Sequence, residues 1–274
     1  MTEFSGQLAL RAAARDDGRT VLAAQSARAP YHVSKPYWDG EARVLLVQVV
    51  NPTAGILAGD RLEAEIAVER GAALLVTTPS ASRIFQMKDG AAECSQAFRV
   101  AAGGWLEVLP EPLVPHRGCR YRQSTRVDAE AGAELIFCDL LTPGRVAHGE
   151  AWEWERLRLE TEVRVGGELV LRERFDQSGA DLRALAELAG SGAGACFGNA
   201  VLVAAAGDQD GAWGAKVAAL HGEGFWVGVS ALRRGGWSIK FVAGDGVRLR
   251  RGWSAIRAAL AERFPRMACD PRKL

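Results

Sequence analysis

Three stretches of the chain echo one another: residues 66–76 read IAVERGAALLV, residues 98–108 read FRVAAGGWLEV, and residues 125–137 read TRVDAEAGAELIF. Each carries a glycine (Gly71, Gly103, Gly132) between two apolar segments, and a leucine follows it at the same offset (Leu74, Leu106, Leu135). Glycine accepts the positive φ that a sharp reversal needs, so each stretch reads as strand, turn, strand. Units recurring at this spacing suggest strand pairs stacked so that each covers its neighbour's apolar face, as in solenoid-like or layered β architectures. An ordinary β-meander produces the same pattern, and the repeat alone does not separate the two.

Outward from this core the period-two signal continues. In RLEAEIAVE (61–69), Leu62, Ala64, Ile66 and Val68 fall on one face while Arg61, Glu63 and Glu65 fall on the other, as in a half-buried strand. GQLALRAA and TVLAAQ flank Asp17-Gly18, a dipeptide that favours a tight type I′ hairpin. A second hairpin is expected where WERLRLETEVRV and ELVLRERF meet at Gly166-Gly167. The apolar alternation changes phase between Trp154 and Leu157, which one extra residue, a β-bulge, would repair. Helix is sparse. ADLRALAELAG fits one short helix, and GWSAIRAALAERF another near the C-terminus, with Trp253, Ile256, Leu260 and Phe264 at helical spacing before Pro265. The expected fold is therefore mostly β: stacked or layered antiparallel and solenoid-like strands with a few short helices, in a single domain over residues 1–274.

Composition narrows the function classes. The 34 basic residues nearly match the 33 acidic ones, which disfavours nucleic acid or an anionic membrane as a partner. The N-terminus lacks a basic segment followed by an apolar core, and no apolar run approaches the roughly 18 residues that span a bilayer, so a cytoplasmic protein is expected. The five cysteines (Cys94, Cys119, Cys138, Cys196, Cys269) are scattered and form no closely spaced ligand set, which predicts reduced thiols rather than a zinc site.

No motif marks an enzyme: G-x-S-x-G, H-E-x-x-H and G-x-x-x-x-G-K are all missing. The run G-S-G-A-G-A from Gly190 imitates a dinucleotide fingerprint but follows a predicted helix instead of a strand. Asp139 is more pointed, because ELIFCDLL surrounds it with apolar residues and a buried carboxylate needs a partner, a proton or a metal. Arg145 is one candidate partner for it. Glu173 lies between Arg172 and Arg174 and has an arginine pair as its structural reading, while Asp60 and Glu150 read as turn acceptors. A hydrolase using Ser80 or Ser82 with a distant His116 is the remaining enzymatic reading.

Four stretches taken together resemble the UreD family of urease accessory proteins, also called UreH: NPTAGILAGD (51–60), TTPSASRIF (77–85), WLEVLPEPLVPH (105–116) and CDLLTPGRVAHGE (138–150). They match in order and spacing, and weaker similarity continues through GVSALRRGGWSIKFV to the terminal CDPRKL. The resemblance implies a β-rich accessory protein, not an enzyme, that acts with UreF, with the GTPase UreG through UreF, and with apo-urease. It implies no tightly bound cofactor but transient Ni²⁺, passed along an internal path. Matched residue by residue, Asp60, Ser82, Asp139 and Glu173 fall on positions associated with that path. Glu150 and His148 are weaker candidates, His148 being either an additional transient ligand or a turn histidine. A purely structural chaperone that opens apo-urease, with metal travelling outside it, is the alternative. The chain departs from the family at Pro79-Ser80, at His148, and at its PRKL ending.

Overall fold

The computed structural model describes residues 5–51, 53–188, 192–204, 212–233 and 235–271, so Gly190-Ser191 of the glycine run and the terminal residues 272–274 lie outside it. The chain opens with the hairpin β1 (Ser5–Ala14) and β2 (Thr20–Arg28), then short strands β3 (His32–Val33) and β4 (Tyr37–Asp39), then β5 (Val44–Val50). Three successive coils follow. The first is β6 (Arg61–Val68), β7 (Ala73–Thr77) and the short β8 (Ser82–Ile84); the second is β9 (Ala92–Val100), β10 (Trp105–Leu109) and β11 (Leu113–Pro115). The third is β12 (Arg120–Ala129), β13 (Glu134–Leu141) and the small ribbon β14 (Gly144–Arg145) with β15 (Glu150–Ala151). The chain ends with β16 (Arg156–Val165), β17 (Glu168–Gln177), α1 (Gly179–Leu188), β18 (Cys196–Val203), α2 (Ala212–Ala218), β19 (Phe225–Ala231), β20 (Gly236–Ala243) and α3 (Gly246–Ala261).

Each coil crosses between two sheets. A seven-stranded sheet has the order β17-β16-β12-β9-β6-β1-β2, and a larger one the order β19-β20-β18-β13-β10-β7-β5-β3. The echo in the sequence becomes a ladder: Leu45, Leu74, Leu106 and Leu135 pair in register across β5, β7, β10 and β13, all parallel and all buried. Gly71, Gly103 and Gly132 turn the chain at φ of +74°, +72° and +86°. In each turn an N–H two residues from the second strand or closer bonds back over it, as Ala72 to Glu69, Gly104 to Ala101 and Ala133 to Glu130. The solenoid-like arrangement is thus parallel at its centre, while β2, β17 and the β18, β20, β19 group add antiparallel strands at the edges.

Burial explains why the two strand types read differently. The outer face of the seven-stranded sheet carries a lattice of ion pairs, among them Arg158–Glu160, Arg174–Glu160, Arg172–Glu162 and Arg164–Glu162, so its strands alternate apolar and charged. The larger sheet is covered on both faces, so β7 and β10 are buried at every position. Its outer cover is α2 and α3, with Leu249, Trp253, Ile256 and Leu260 facing the sheet. Glu107 and Arg257 join α3 to β10 through two hydrogen bonds, of 2.7 and 3.1 Å, between almost fully buried side chains.

Several local expectations are corrected. The Asp17-Gly18 hairpin forms through a longer loop, residues 15–19, closed by Arg15 N–H to Arg19 O at 2.8 Å, and not through a two-residue turn. The Gly166-Gly167 hairpin has the two positive φ angles expected, +57° and +84°. Strand β16 starts only at Arg156, where the N–H groups of Glu155 and Arg156 both donate to the Cys119 carbonyl, so the phase change sits at the strand's entry; a second irregularity lies at Val163/Arg164. Helix α3 begins earlier than the apolar spacing indicates, because Asp245 caps it by accepting from Arg248 N–H at 2.7 Å. It ends at Ala261; Phe264 lies beyond it and packs against Trp105. The antiparallel strands β18 to β20 and helix α2 escape the sequence reading altogether.

Candidate functional site

The space between the sheets is mainly apolar and is crossed by a transverse row of polar residues. Inward-facing positions of the seven-stranded sheet that pair in register are Gln96, Thr125, Thr161 and Glu173, on β9, β12, β16 and β17. Across from them, Asp139, Asn199 and Lys240 pair in register on β13, β18 and β20. On one side of this polar row the core consists of residues such as Ile66, Phe98, Val127, Phe137 and Val201. On the other side lie Ile84, Tyr121, Leu141, Trp152 and Leu157. The row therefore runs perpendicular to the strands and divides the hydrophobic interior in two.

Hydrogen bonds cross it from sheet to sheet. Gln123, next to the row on β12, donates through Nε2 to Asp139 Oδ1 at 3.2 Å. Asn199 donates through Nδ2 to Glu173 Oε2 at 2.7 Å, and the Lys240 ammonium is paired with the other carboxylate oxygen. Thr125 Oγ1 and Asn199 Oδ1 are buried and have no hydrogen-bond partner among the described residues. An oxygen buried without a partner is costly, on the order of 1–3 kcal/mol, and such groups mark places where water or a ligand is held.

Two cavities follow the row. One, of about 180 Å³, is bordered by Ser82, Cys94, Gln96, Tyr121, Gln123 and Asp139. The other, about 530 Å³ and more open, is bordered by Asp139, Thr161, Glu173, Asn199 and Lys240. Asp139 and Leu140 border both. Burial pushes the Asp139 carboxyl up to about 7, an effect that the hydrogen bond from Gln123 opposes and the charge of Glu173 reinforces. Its accessible surface makes Asp139 half-buried, and that exposure opens into the cavities. Burial also raises the Cys94 thiol, which shares hydrogen bonds with Tyr31, Tyr121 and Gln96.

Of the residues singled out in the sequence, Ser82, Asp139 and Glu173 come together along these cavities. Asp60 does not. It is buried at the end of its turn, where its carboxylate accepts from Leu57 N–H at 2.8 Å, and it borders a separate surface pocket with Arg61, Glu93 and Arg120. Glu150 is held by Arg145 in a two-pronged contact across the β14–β15 ribbon, and that hydrogen-bonded guanidinium lowers its carboxyl. Arg145 is thus engaged away from Asp139, which relies on an amide instead. His148 is exposed in the turn Val146–His148 before Gly149. Neither Glu150 nor His148 borders the two cavities. The arginines beside Glu173 point the other way, Arg172 to Glu162 and Arg174 to Glu160, on the charged outer face.

The serine hydrolase reading finds no machinery. Ser80 and Ser82 border the smaller cavity, but His116 packs edge-on against Phe85 at 4.8 Å and its Nε2 has no hydrogen-bond partner among the described residues. Burial lowers the His116 imidazole, with the Arg145 charge adding to the effect. Among the described residues there is no group of three or more His, Cys, Asp or Glu placed to hold a metal, and no helix is long and apolar enough to cross a membrane. The row's amide and hydroxyl members escaped the sequence reading. Gln123 and Thr125 occupy the apolar phase of β12 beside Tyr121 and Val127, and that misplaced polarity was the available signal.

Comparison with known proteins identifies the family. A family model described as UreD urease accessory protein matches residues 5–273. A protein of Opitutus terrae named urease accessory protein UreD is 65% identical over 99% of this chain and 100% of its own length. Proteins of the same name from Kocuria rhizophila and Yersinia enterocolitica are 37% and 40% identical over 60% and 53% of this chain, and over 44% and 45% of their own lengths. With a match spanning nearly the whole chain and a near-complete relative at this identity, the chain belongs to the UreD family of urease accessory proteins, which are maturation factors and not enzymes.

Proposed function

We propose that this protein hands Ni²⁺ to apo-urease along the polar row between its sheets, docked to UreF and through it to UreG. The observation that carries the reading is the row itself: the carboxylates Asp139 and Glu173 and the Asn199 amide border cavities that share Asp139, the Asn199 oxygen has no hydrogen-bond partner among the described residues, and the likewise unpartnered Thr125 hydroxyl lies in register in the same row. Oxygen donors suit a divalent ion that must be released again, since thiolate and imidazole clusters bind such ions far more firmly. Conduction asks for sites favourable enough to enter and weak enough to leave. A carboxylate whose pKa is about 7 meets that demand, because it exchanges a proton for a cation near neutrality. Ser82 serves as a hydroxyl donor where the smaller cavity meets the loop 77–83. Asp60 shapes the turn 57–60 instead of contacting the ion, and Glu150 with His148 stays outside the path. The cation is cargo on this reading, and no resident cofactor takes part.

The test is urease activation with Asp139→Ala and Glu173→Ala chains. The expected result is normal assembly with UreF and apo-urease but a loss of nickel incorporation of at least several-fold. Normal incorporation in both variants removes the internal path and leaves a docking chaperone that opens apo-urease.

A further inference from the structure

Glu173 closes the polar row at the rim of the molecule, and its two carboxylate oxygens are both engaged: one by the Asn199 amide, the other by the Lys240 ammonium. The carboxylate arrives from β17, the edge strand of the seven-stranded sheet, and the ammonium from β20, one strand from the edge of the other sheet. The ion pair thus bridges the two sheets across the opening between them. Its members differ in setting. The Glu173 side chain is 22% exposed and the Lys240 side chain 63%, so the carboxylate faces the cavity while the lysine stem reaches it from solvent.

We propose that Lys240 is a tethered competitor cation, a gate that occupies Glu173 between ions and swings outward when a divalent cation takes its place. Three features argue for this over a simple structural tie. The ammonium sits on the carboxylate of Glu173, a residue that borders the larger cavity, so a cation using Glu173 from inside must displace it or share it. Its four-carbon stem is mostly in water, which lets it leave without exposing apolar surface. The arginines flanking Glu173 in sequence are bound to Glu160 and Glu162 on the opposite face, so among the ion pairs of the described residues Lys240 is the cation on this carboxylate. A lysine is suited to the part, because its compact, strongly hydrated charge makes a single contact, whereas a two-pronged arginine would be harder to displace. The returning ammonium then helps to expel the ion.

This inference rests on the path proposed above, and its test separates the two. Equilibrium dialysis of the full-length chain against Ni²⁺ alone would compare the native protein with Lys240→Met, Lys240→Gln, Glu173→Gln and the Lys240→Met/Glu173→Gln double variant, with thermal midpoints measured in parallel. An exposed ion pair competes weakly, so removing the lysine should tighten nickel binding by about two- to fivefold. The double variant should bind no better than Glu173→Gln. If nickel binding depends on Glu173 but both lysine variants match the native affinity, the gate is refuted and the path survives. If binding is indifferent to Glu173, the path loses this residue and the gate falls with it.

Discussion

Replacing Asp139 by asparagine should make the protein more stable and less useful, and the stabilisation should depend on pH in a defined way. In the folded chain burial carries the carboxyl up to about 7, against about 3.9 for a free aspartate. A group whose folded pKa is raised binds more protons in the native than in the unfolded state, so its contribution to stability falls as pH rises. Below about 3.9 the contribution is complete, between about 3.9 and about 7 it is progressively lost, and above about 7 the full cost of holding the charge indoors remains. At 1.36 kcal/mol per tenfold change in proton affinity, that cost is about 4 kcal/mol at most, and cavity water reduces it toward ~2 kcal/mol. Asparagine is nearly isosteric, carries no charge and keeps an oxygen for the Gln123 amide. For a chain of 274 residues, a gain of ~2–4 kcal/mol corresponds to a melting point raised by roughly 4–8 °C. Thermal and urea unfolding of both proteins from pH 4.5 to 8.5 would give the difference directly. It should be near its maximum at pH 8, shrink steadily with acidification, and nearly vanish toward pH 4.5. A difference that is flat across this range, or an asparagine variant less stable at pH 8, refutes the assignment of a strained carboxylate at this position.

Three further substitutions probe neighbouring parts of the argument. Thr125→Val removes a buried hydroxyl without a partner; it should leave stability unchanged or raise it by up to ~1 kcal/mol, yet lower urease activation, as measured by nickel content of the matured enzyme. Asp60→Ala deletes the acceptor that holds Leu57 N–H in a buried turn, so it should lower unfolding free energy by ~1–3 kcal/mol; nickel affinity, read by dialysis on the folded protein, should not change. Arg257→Met strands the buried Glu107 carboxylate beneath α3 and should cost about 3–5 kcal/mol in urea unfolding, whereas replacing both partners by apolar residues should recover most of it.

How much of this was legible depends on what local sequence can encode. The glycine-centred echo carried the coil architecture, because a turn and the two strands it joins are contiguous, and stacking identical units puts Leu74, Leu106 and Leu135 in register. The echo did not carry strand direction at the edges. Antiparallel β18 and β20 pair residues far apart in sequence, such as Cys196 with Ala243, and β18 follows a glycine-rich segment with no repeat to align it. At the site, Asp139 stood out because apolar neighbours surround it, and the family resemblance supplied Ser82 and Glu173. The resemblance associated Asp60 with the path as well, while local chemistry read it as an acceptor closing its G-D turn, and the Leu57 N–H indeed donates to its carboxylate. Thr161 and Asn199 were invisible, since each looks like an ordinary strand residue until the opposite sheet is in place.

The orientation of the polar row has a geometric corollary. Because it steps from strand to strand, its span is measured in the spacing between neighbouring chains, about 4.8 Å each. From β9 through β12 and β16 to β17 there are three such steps, or roughly 14 Å. Lengthening a loop or a strand leaves this ruler untouched, whereas inserting or deleting one whole coil changes it by a fixed increment. Relatives of this chain with longer turns should therefore keep a polar row of the same length, and only a change in the number of windings would lengthen or shorten it.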